Sequence, residues 1–214
     1  SRIAGLNEIP SPYLNGLFDK LMIEIPQEGW IGLWETNRGC PYTCAYCEWG
    51  GEVGKKVSQF NLERLLKEID WFSQNKVQFV RCCDANFGIL GRDIELVKKL
   101  AENKATYGFP QAASVENAKN ATDTTFEIQR ILNESGLSKG VNLAFQSLNE
   151  PTLVAIKRKN ISNEGYKDLQ HRFTKARIPT FTDMIVGLPE ESYDTFVDGV
   201  AKLMEGGHHG SISF

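Results

Sequence analysis

The sequence predicts an α/β fold built on parallel strands, and three observations carry that prediction. Short β-rich runs alternate with amphipathic helical stretches along most of the chain. Candidate strands begin near Ile31, Val77, Pro110, Val141, Pro179 and Ser211, at spacings of 46, 33, 31, 38 and 32 residues, and a βα unit takes about 30 residues or more. The 214 residues, 41% hydrophobic and 24% charged, suffice for one large domain with a substantial core. Alternation of this kind implies a parallel sheet with right-handed crossovers. A doubly wound sheet and a barrel both satisfy the pattern. No G-x-G-x-x-G follows the first strand, which removes the main support for a dinucleotide-binding sheet.

Taken in order, the elements justify themselves locally. Ile9-Pro10-Ser11-Pro12-Tyr13 reads as a connector, because two prolines remove donors and restrict their neighbours. Tyr13 to Met22 could form a short helix. The first βα unit is the longest and carries an insertion holding clustered cysteines. Asn61 can cap a helix that buries Leu62, Leu65, Leu66, Ile69 and Phe72 and turns Glu63, Arg64, Lys67 and Glu68 outward. Asp93 opens a second helix on the stripe Ile94, Val97, Leu100. Thr122 or Asp123 opens a third, which Gly136 suits at its C-terminal end. Asn149-Glu150-Pro151 is a cap with an N-terminal proline, ahead of Leu153 and Ile156. Ser192 caps a helix carrying Phe196, Val200 and Leu203, which stops at Gly206-Gly207. The chain ends at Ser213-Phe214, inside the expected sixth strand, so a longer parent protein is expected.

Composition excludes several classes. The apolar fraction is too high for disorder, and 19 Gly with 8 Pro exclude collagen-like or low-complexity character. No apolar run approaches the ~18 residues of a membrane span. A net charge of −3 argues against a general nucleic-acid binder. Five cysteines, three of them between Cys40 and Cys47, do not suit a disulfide framework. The expected setting is a reducing cytoplasm with thiols free or on metal.

The chemistry concentrates after the first strand, in Cys40-Pro-Tyr-Thr-Cys44-Ala-Tyr-Cys47. Three thiolates on one short loop can converge on a soft metal centre. A closed cubane takes four cysteines, so a cluster held by three leaves one iron open to a small molecule. Pro41 stiffens the loop, and Gly39, Gly50 and Gly51 let it wrap tightly. A structural zinc site remains an alternative, its fourth ligand drawn from Cys82, Cys83, His171, His208 or His209. A chance cluster of buried thiols is another.

The run Asn37-Arg38-Gly39-Cys40-Pro41-Tyr42-Thr43-Cys44-Ala45-Tyr46-Cys47, with an aromatic residue just before the third cysteine, resembles the signature of the radical S-adenosylmethionine superfamily. The resemblance implies a partial (β/α)6 barrel over residues 30–214, truncated near its sixth strand. It further implies a 4Fe–4S cluster on Cys40, Cys44 and Cys47, with S-adenosylmethionine chelating the open iron. Reductive cleavage of the sulfonium would give methionine and a 5′-deoxyadenosyl radical, with the protein positioning the cofactors and excluding water. An electron donor such as a flavodoxin or ferredoxin follows from that chemistry.

Further positions follow from the resemblance one at a time. Where the family has a Gly-Gly-Glu-like motif for the methionine amino group, this chain has Cys83-Asp84-Ala85-Asn86-Phe87-Gly88, so Asp84 or Asn86 would take that role. Tyr46 is the aromatic residue beside the third cysteine. Gln146, in Phe145-Gln146-Ser147, matches the ribose-binding position. Arg158, in Ile156-Lys157-Arg158-Lys159-Asn160, would pair with the methionine carboxylate, with Lys159 one step away. Asp183-Met184-Ile185-Val186-Gly187-Leu188-Pro189-Glu190 resembles the G-x-I-x-G-x-x-E element, with Asp183 in place of the first glycine. Ile185 would pack on adenine, Gly187 would allow close approach, and Glu190 would fix the turn. Cys82 and Cys83 are expected as buried strand thiols and His208-His209 at the surface; Glu48 and Trp49 stay undecided.

Residues 9–14 leading into Trp34–Cys40, with Asp84–Gly88, resemble the cobalamin-linked branch. That likeness makes residues 1–29 a linker from a cobalamin-binding domain lying before this chain. It implies methyl transfer to a small-molecule or peptide carbon; radical rearrangement, cyclisation or methylthiolation are the alternatives, and a non-catalytic zinc module is the alternative of another class.

Overall fold

The computed structural model describes residues 5–25, 29–49, 56–118 and 123–214. The expectations placed on Gly50, Gly51 and Thr122 lie outside the described residues. A 3₁₀ turn at Leu6–Glu8 precedes the connector, and the helix expected from Tyr13 is a run of turns followed by α1 (Asp19–Glu24).

Strand β1 (Ile31–Trp34) leads into β2 (Asn37–Arg38), which pairs antiparallel with β3 (Ser58–Gln59) across the cysteine loop. The sequence reading lacks this hairpin. Two-residue strands carry too little alternation to register. The chain continues through α2 (Leu62–Gln74), β4 (Phe79–Cys82), α3 (Asp93–Tyr107) and β5 (Ala112–Ser114). Next come α4 (Asp123–Glu134), β6 (Val141–Asn142), α5 (Glu150–Ala155) and α6 (Asn163–Lys175). The last elements are β7 (Thr180–Asp183), α7 (Tyr193–Glu205) and β8 (Ile212–Ser213).

Among the described residues six strands are parallel, in two sets of three, β1-β4-β5 and β6-β7-β8. Their starts fall within two residues of the expected positions. Helix α6 is absent from the sequence reading, although Ser162 caps it through Gly165 N and Tyr166, Leu169 and Phe173 form its buried stripe. The 38-residue spacing there was room for two helices, and α5 had already filled the unit.

Each half-sheet has its own apolar core. Trp34, Val80 and Cys82 pack with Leu65, Ile69 and Phe72 of α2 and with Leu96, Val97 and Leu100 of α3. Val141, Leu143 and Phe145 pack with Tyr166, Leu169 and Phe173 of α6 and with Leu203 of α7. Phe126 and Phe173, with ring centroids 5.1 Å apart, join the helical layers of the two halves, and Arg172 lies 4.2 Å over the Phe126 ring. On the sheet side the halves meet through side chains. Asn117 Nδ2 donates to Asn142 O at 3.2 Å, and Gln129 Nε2 donates to Asn117 Oδ1 at 2.8 Å.

One outward assignment is corrected. Glu68 is buried, accepting from Trp34 Nε1 at 2.8 Å and from Arg64 Nε at 2.9 Å. An indole N–H on the strand demanded an acceptor from the packed helix, which the apolar stripe alone does not reveal. Among the described residues no helix is long and apolar enough to cross a membrane.

Candidate active site

A cavity of about 530 Å³ opens where the parallel strands end. Its wall carries Cys40, Tyr46 and Cys47 from the loop after β1, and Asp84 and Asn86 from the loop after β4. The second half contributes Gln146, beyond β6, and Arg158 from the segment after α5. Cys44 is buried outside this wall, and Ile185, Gly187 and Glu190 also fall outside it. Parallel strands place their following loops on one rim, which explains how residues so distant in sequence meet.

The cysteine loop is positioned from three sides. Gly39 has φ 115°, and a Cβ there would stand 2.3 Å from Lys56 O, so only glycine lets the loop pass the β2–β3 hairpin. Ala45 N donates to Ile156 O at 2.8 Å, tying the loop to the end of α5. From below it is held by Asp84. Asp84 Oδ1 accepts from Thr36 N at 2.7 Å and Asn37 N at 3.1 Å, while Oδ2 accepts from Asn37 Nδ2 at 2.7 Å and from the Thr36 hydroxyl. Burial pushes this carboxyl up, against those hydrogen bonds. All four contacts point back into the fold.

Asn86 is 2% exposed, and its Nδ2 donates to Cys40 Sγ at 3.1 Å. Its Oδ1 is buried with no partner. The loop around it is fixed by Asp93, whose Oδ2 accepts from Gly88 N at 2.8 Å and Leu90 N at 3.2 Å. Burial raises the Asp93 carboxyl to about 6.

Arg158 supplies the cavity with a buried cation. Nε donates to Asn160 Oδ1 at 2.7 Å, one terminal nitrogen to Tyr46 Oη at 2.6 Å, and the other to Ala144 O at 2.5 Å. All three acceptors are neutral. Burial pushes the Tyr46 hydroxyl up to about 12, with Arg158 opposing, and its hydrogen bond with Cys44 links the guanidinium to the cysteines. Lys159 is exposed and outside the cavity wall.

Gln146 has φ 67°, a left-handed conformation that costs a non-glycine residue of order 1 kcal/mol or more. Its N donates to Asp183 O and its O accepts from Ile185 N, so β7 holds it there. Ile185 packs with Tyr46 on Leu153, Ile156 and Leu188, beneath the cysteine loop. Gly187 adopts φ 80°. Glu190 is exposed; its backbone carbonyl accepts from Asn149 Nδ2, whereas the neighbouring Glu191 carboxylate accepts from Ser147 Oγ at 2.6 Å.

Cys82 is buried as expected, and burial raises its thiol well above the usual value. Cys83 is half-buried on the cavity wall beside Arg81. His208 corrects the surface expectation, being 4% exposed with Nδ1 3.0 Å from Tyr166 Oη. The sequence reading also missed Arg81, Glu116, Asn117 and Asn142 on the cavity wall, and gave no role to Asp183. Arg81 and Asn142 lie on β4 and β6, and Glu116 and Asn117 just past β5, so polar residues on strands and at their C-terminal ends were the signal available. Asn142 Nδ2 donates to Asp183 Oδ2 at 2.5 Å across β6 and β7.

The residues present suit the group that the cysteine motif implies. A thiolate set needs donors rather than acceptors around it, and Asn86 supplies one. Beside Cys40 and Cys47, Arg158 offers a cation whose partners are all neutral and Asn86 Oδ1 an unpaired acceptor, the groups an amino-acid end requires. A family model described as the radical SAM superfamily matches residues 34–203. The chain belongs to the radical SAM superfamily. A 4Fe–4S cluster and S-adenosylmethionine are the cofactors of that superfamily.

Among relatives of this radical SAM chain, a 2-(S-pantetheinyl)-carbapenam-3-carboxylate methyltransferase of Streptantibioticus cattleyicolor is 44% identical over 96% of this chain and 30% of that protein. The cobalamin-dependent radical SAM methyltransferase TokK of Streptomyces tokunonensis is 41% identical over 97% of this chain and 31% of that protein. The chain therefore spans about a third of their length. In fold it is similar to the radical S-adenosylmethionine methyltransferase TsrM from Kitasatospora setae, with TM-score 0.70, 18% identity and coverage of 90% of this chain and 37% of that one.

Proposed function

We propose that this chain is the core of a cobalamin-dependent radical SAM methyltransferase acting on a small carboxylated molecule of the kind named for the Streptantibioticus cattleyicolor relative. One observation carries the S-adenosylmethionine reading. A buried guanidinium with only neutral partners and a buried amide oxygen with none share a cavity wall with Cys40 and Cys47. Methyl transfer is supported by the two relatives above 40% identity.

In this reading Cys40, Cys44 and Cys47 hold the cluster. When bound, that cluster supplies the electron that breaks the sulfonium C–S bond. Arg158 takes the cofactor's carboxylate, and Tyr46 orients Arg158. Asn86 Oδ1 accepts an N–H of the cofactor's amino group. Asp84 positions the cysteine loop from beneath and stays off the cofactor. Gln146 faces the ribose hydroxyls, and Ile185, Gly187 and Glu190 shape the turn against which the adenine side rests. Residues 1–29 are the linker from a cobalamin-binding domain. A low-potential electron carrier in a reducing cytoplasm is the partner.

The test is anaerobic reconstitution of the full-length enzyme. Brown protein absorbing broadly near 400 nm, 5′-deoxyadenosine under strong reductant, and a cobalamin-dependent methylated carbapenam are expected. A full-length protein that binds no cobalamin would end the methyltransferase reading and leave the radical reading standing.

A further inference from the structure

We propose that the seam between β5 and β6 is a subsite for a flexible tail of the methyl acceptor, one that donates amide N–H groups; this rests on the methyltransferase reading above. Strand β5 pairs with β4 and β6 with β7, and among the described residues no ladder joins β5 to β6. A second cavity, of about 160 Å³, occupies that seam. Its volume is well above the ~10–15 Å³ that holds one water. Glu116, Asn117 and Asn142 line this cavity and the larger one alike, so they form the partition between the two.

Chemistry fixes which polar atoms are left over. The Asn142 carbonyl and the Asp183 carboxylate can only accept. Asn117 must therefore turn Nδ2 to Asn142 O, at 3.2 Å, and present Oδ1 to Gln129. Gln129 answers with Nε2 at 2.8 Å, which leaves its Oε1 buried without a partner on a residue only 3% exposed. By the same logic Asn142 gives Nδ2 to Asp183 Oδ2 and keeps a buried, unpaired Oδ1. Both orphans are acceptors, and both residues line the seam cavity. A buried acceptor without a donor is costly, so the site demands N–H or O–H from outside.

The rest of the wall narrows the chemistry. Ala113, Val115, Leu132 and Phe181 supply apolar surface suited to methylene groups. Neutral amide oxygens favour a neutral donor, since an ammonium loses far more on leaving water. A chain of alternating methylene and amide groups meets both demands. Entering from the larger cavity, it crosses at Asn142 O. There one of its N–H groups can replace Asn117 Nδ2 and leave that carbonyl paired. Binding is noncovalent, and the reacting carbon stays in the larger cavity with Cys40 and Cys47.

The experiment is calorimetric titration of the reconstituted full-length enzyme, saturated with S-adenosylhomocysteine, with two carbapenam acceptors. One carries a thioether tail with two secondary amides; in the other both amide nitrogens are methylated. Wild type should bind the N–H tail roughly 10-fold more tightly or better, the loss expected for two hydrogen bonds. Gln129→Met should bind the N–H acceptor roughly 5-fold more weakly and the N-methylated acceptor as wild type does.

Equal affinities of the two acceptors for wild type would overturn the subsite and leave the seam cavity to water. An unchanged preference in Gln129→Met would overturn it as well. Should that variant fail to fold, the wild-type comparison decides alone. Acceptors that bind with the N–H preference but are never methylated would keep the subsite and end the methyltransferase reading. Acceptors that do not bind at all would end both.

Discussion

Asp93 shows at the scale of one residue how burial sets chemistry here. Its carboxyl is displaced from the ordinary value of 3.8 to about 6 because the side chain is buried, which outweighs hydrogen bonds from Gly88 and Leu90. Between these values the folded chain keeps a proton that the unfolded chain has released. Stability therefore falls as pH rises from about 4 to about 6, by about 3 kcal/mol from this group. Asp93→Asn removes the titration and keeps an acceptor for the two N–H groups. In urea unfolding, its stability relative to wild type should increase from pH 4.5 to pH 7. A difference independent of pH would contradict the assignment.

Two further substitutions belong to this scale. Cys44→Ala should lose iron and sulfide, since three thiolates are the minimum for holding the cubane, whereas Cys82→Ala should retain both. Arg158→Met removes a charge-assisted pairing worth about 1.5–3 kcal/mol, so S-adenosylmethionine should bind roughly 10- to 100-fold more weakly to the loaded enzyme. Unaltered affinity by equilibrium dialysis would send the carboxylate elsewhere.

Among the elements, α7 and the cysteine loop make contrasting demands. Helix α7 begins with a reciprocal capping box, Ser192 Oγ accepting from Thr195 N and Thr195 Oγ1 accepting from Ser192 N. Ser192→Ala should cost about 1 kcal/mol and lower Tm by roughly 2–4 °C without touching cofactor binding. Gly39→Ala should behave oppositely. Its Cβ would meet Lys56 O at 2.3 Å, so the loop must shift. Iron uptake should fall much further than Tm, as followed by iron content and circular dichroism. The cap at Ser192 is readable from sequence alone, since capping is local. The need for glycine at 39 depends on a hairpin whose second strand is 20 residues away, and no local pattern reveals it.

At the scale of the molecule, two half-sheets with separate cores share one cavity. Cofactor contacts proposed for Asn86 lie in the first half and those for Gln146 and Arg158 in the second, so ligand binding should stabilise both together. At S-adenosylmethionine concentrations near 100 times Kd, linkage gives about 2.7 kcal/mol, or a Tm increase of roughly 5–10 °C for a chain this size. A single transition moving as a whole is expected in calorimetry of the loaded protein. Two transitions, only one of them shifted, would show that the halves respond separately.

By itself the sequence determined the parallel α/β alternation, the strand starts and the cysteine motif, because spacing, amphipathic period and motif are properties of neighbours along the chain. Only the tertiary structure decided which side chains face the cavity and with what partners. Asp84 and Asn86 are two residues apart and equally able to accept an ammonium on paper. Folding spends the carboxylate of one on Thr36 and Asn37 and leaves the oxygen of the other unpaired. Glu68 and His208 were read as surface and are buried, each because an element distant in sequence presented a polar group that required a partner. Hydrogen-bond satisfaction in a packed interior is settled between elements, and it is there that the partners of two residues in one motif diverge.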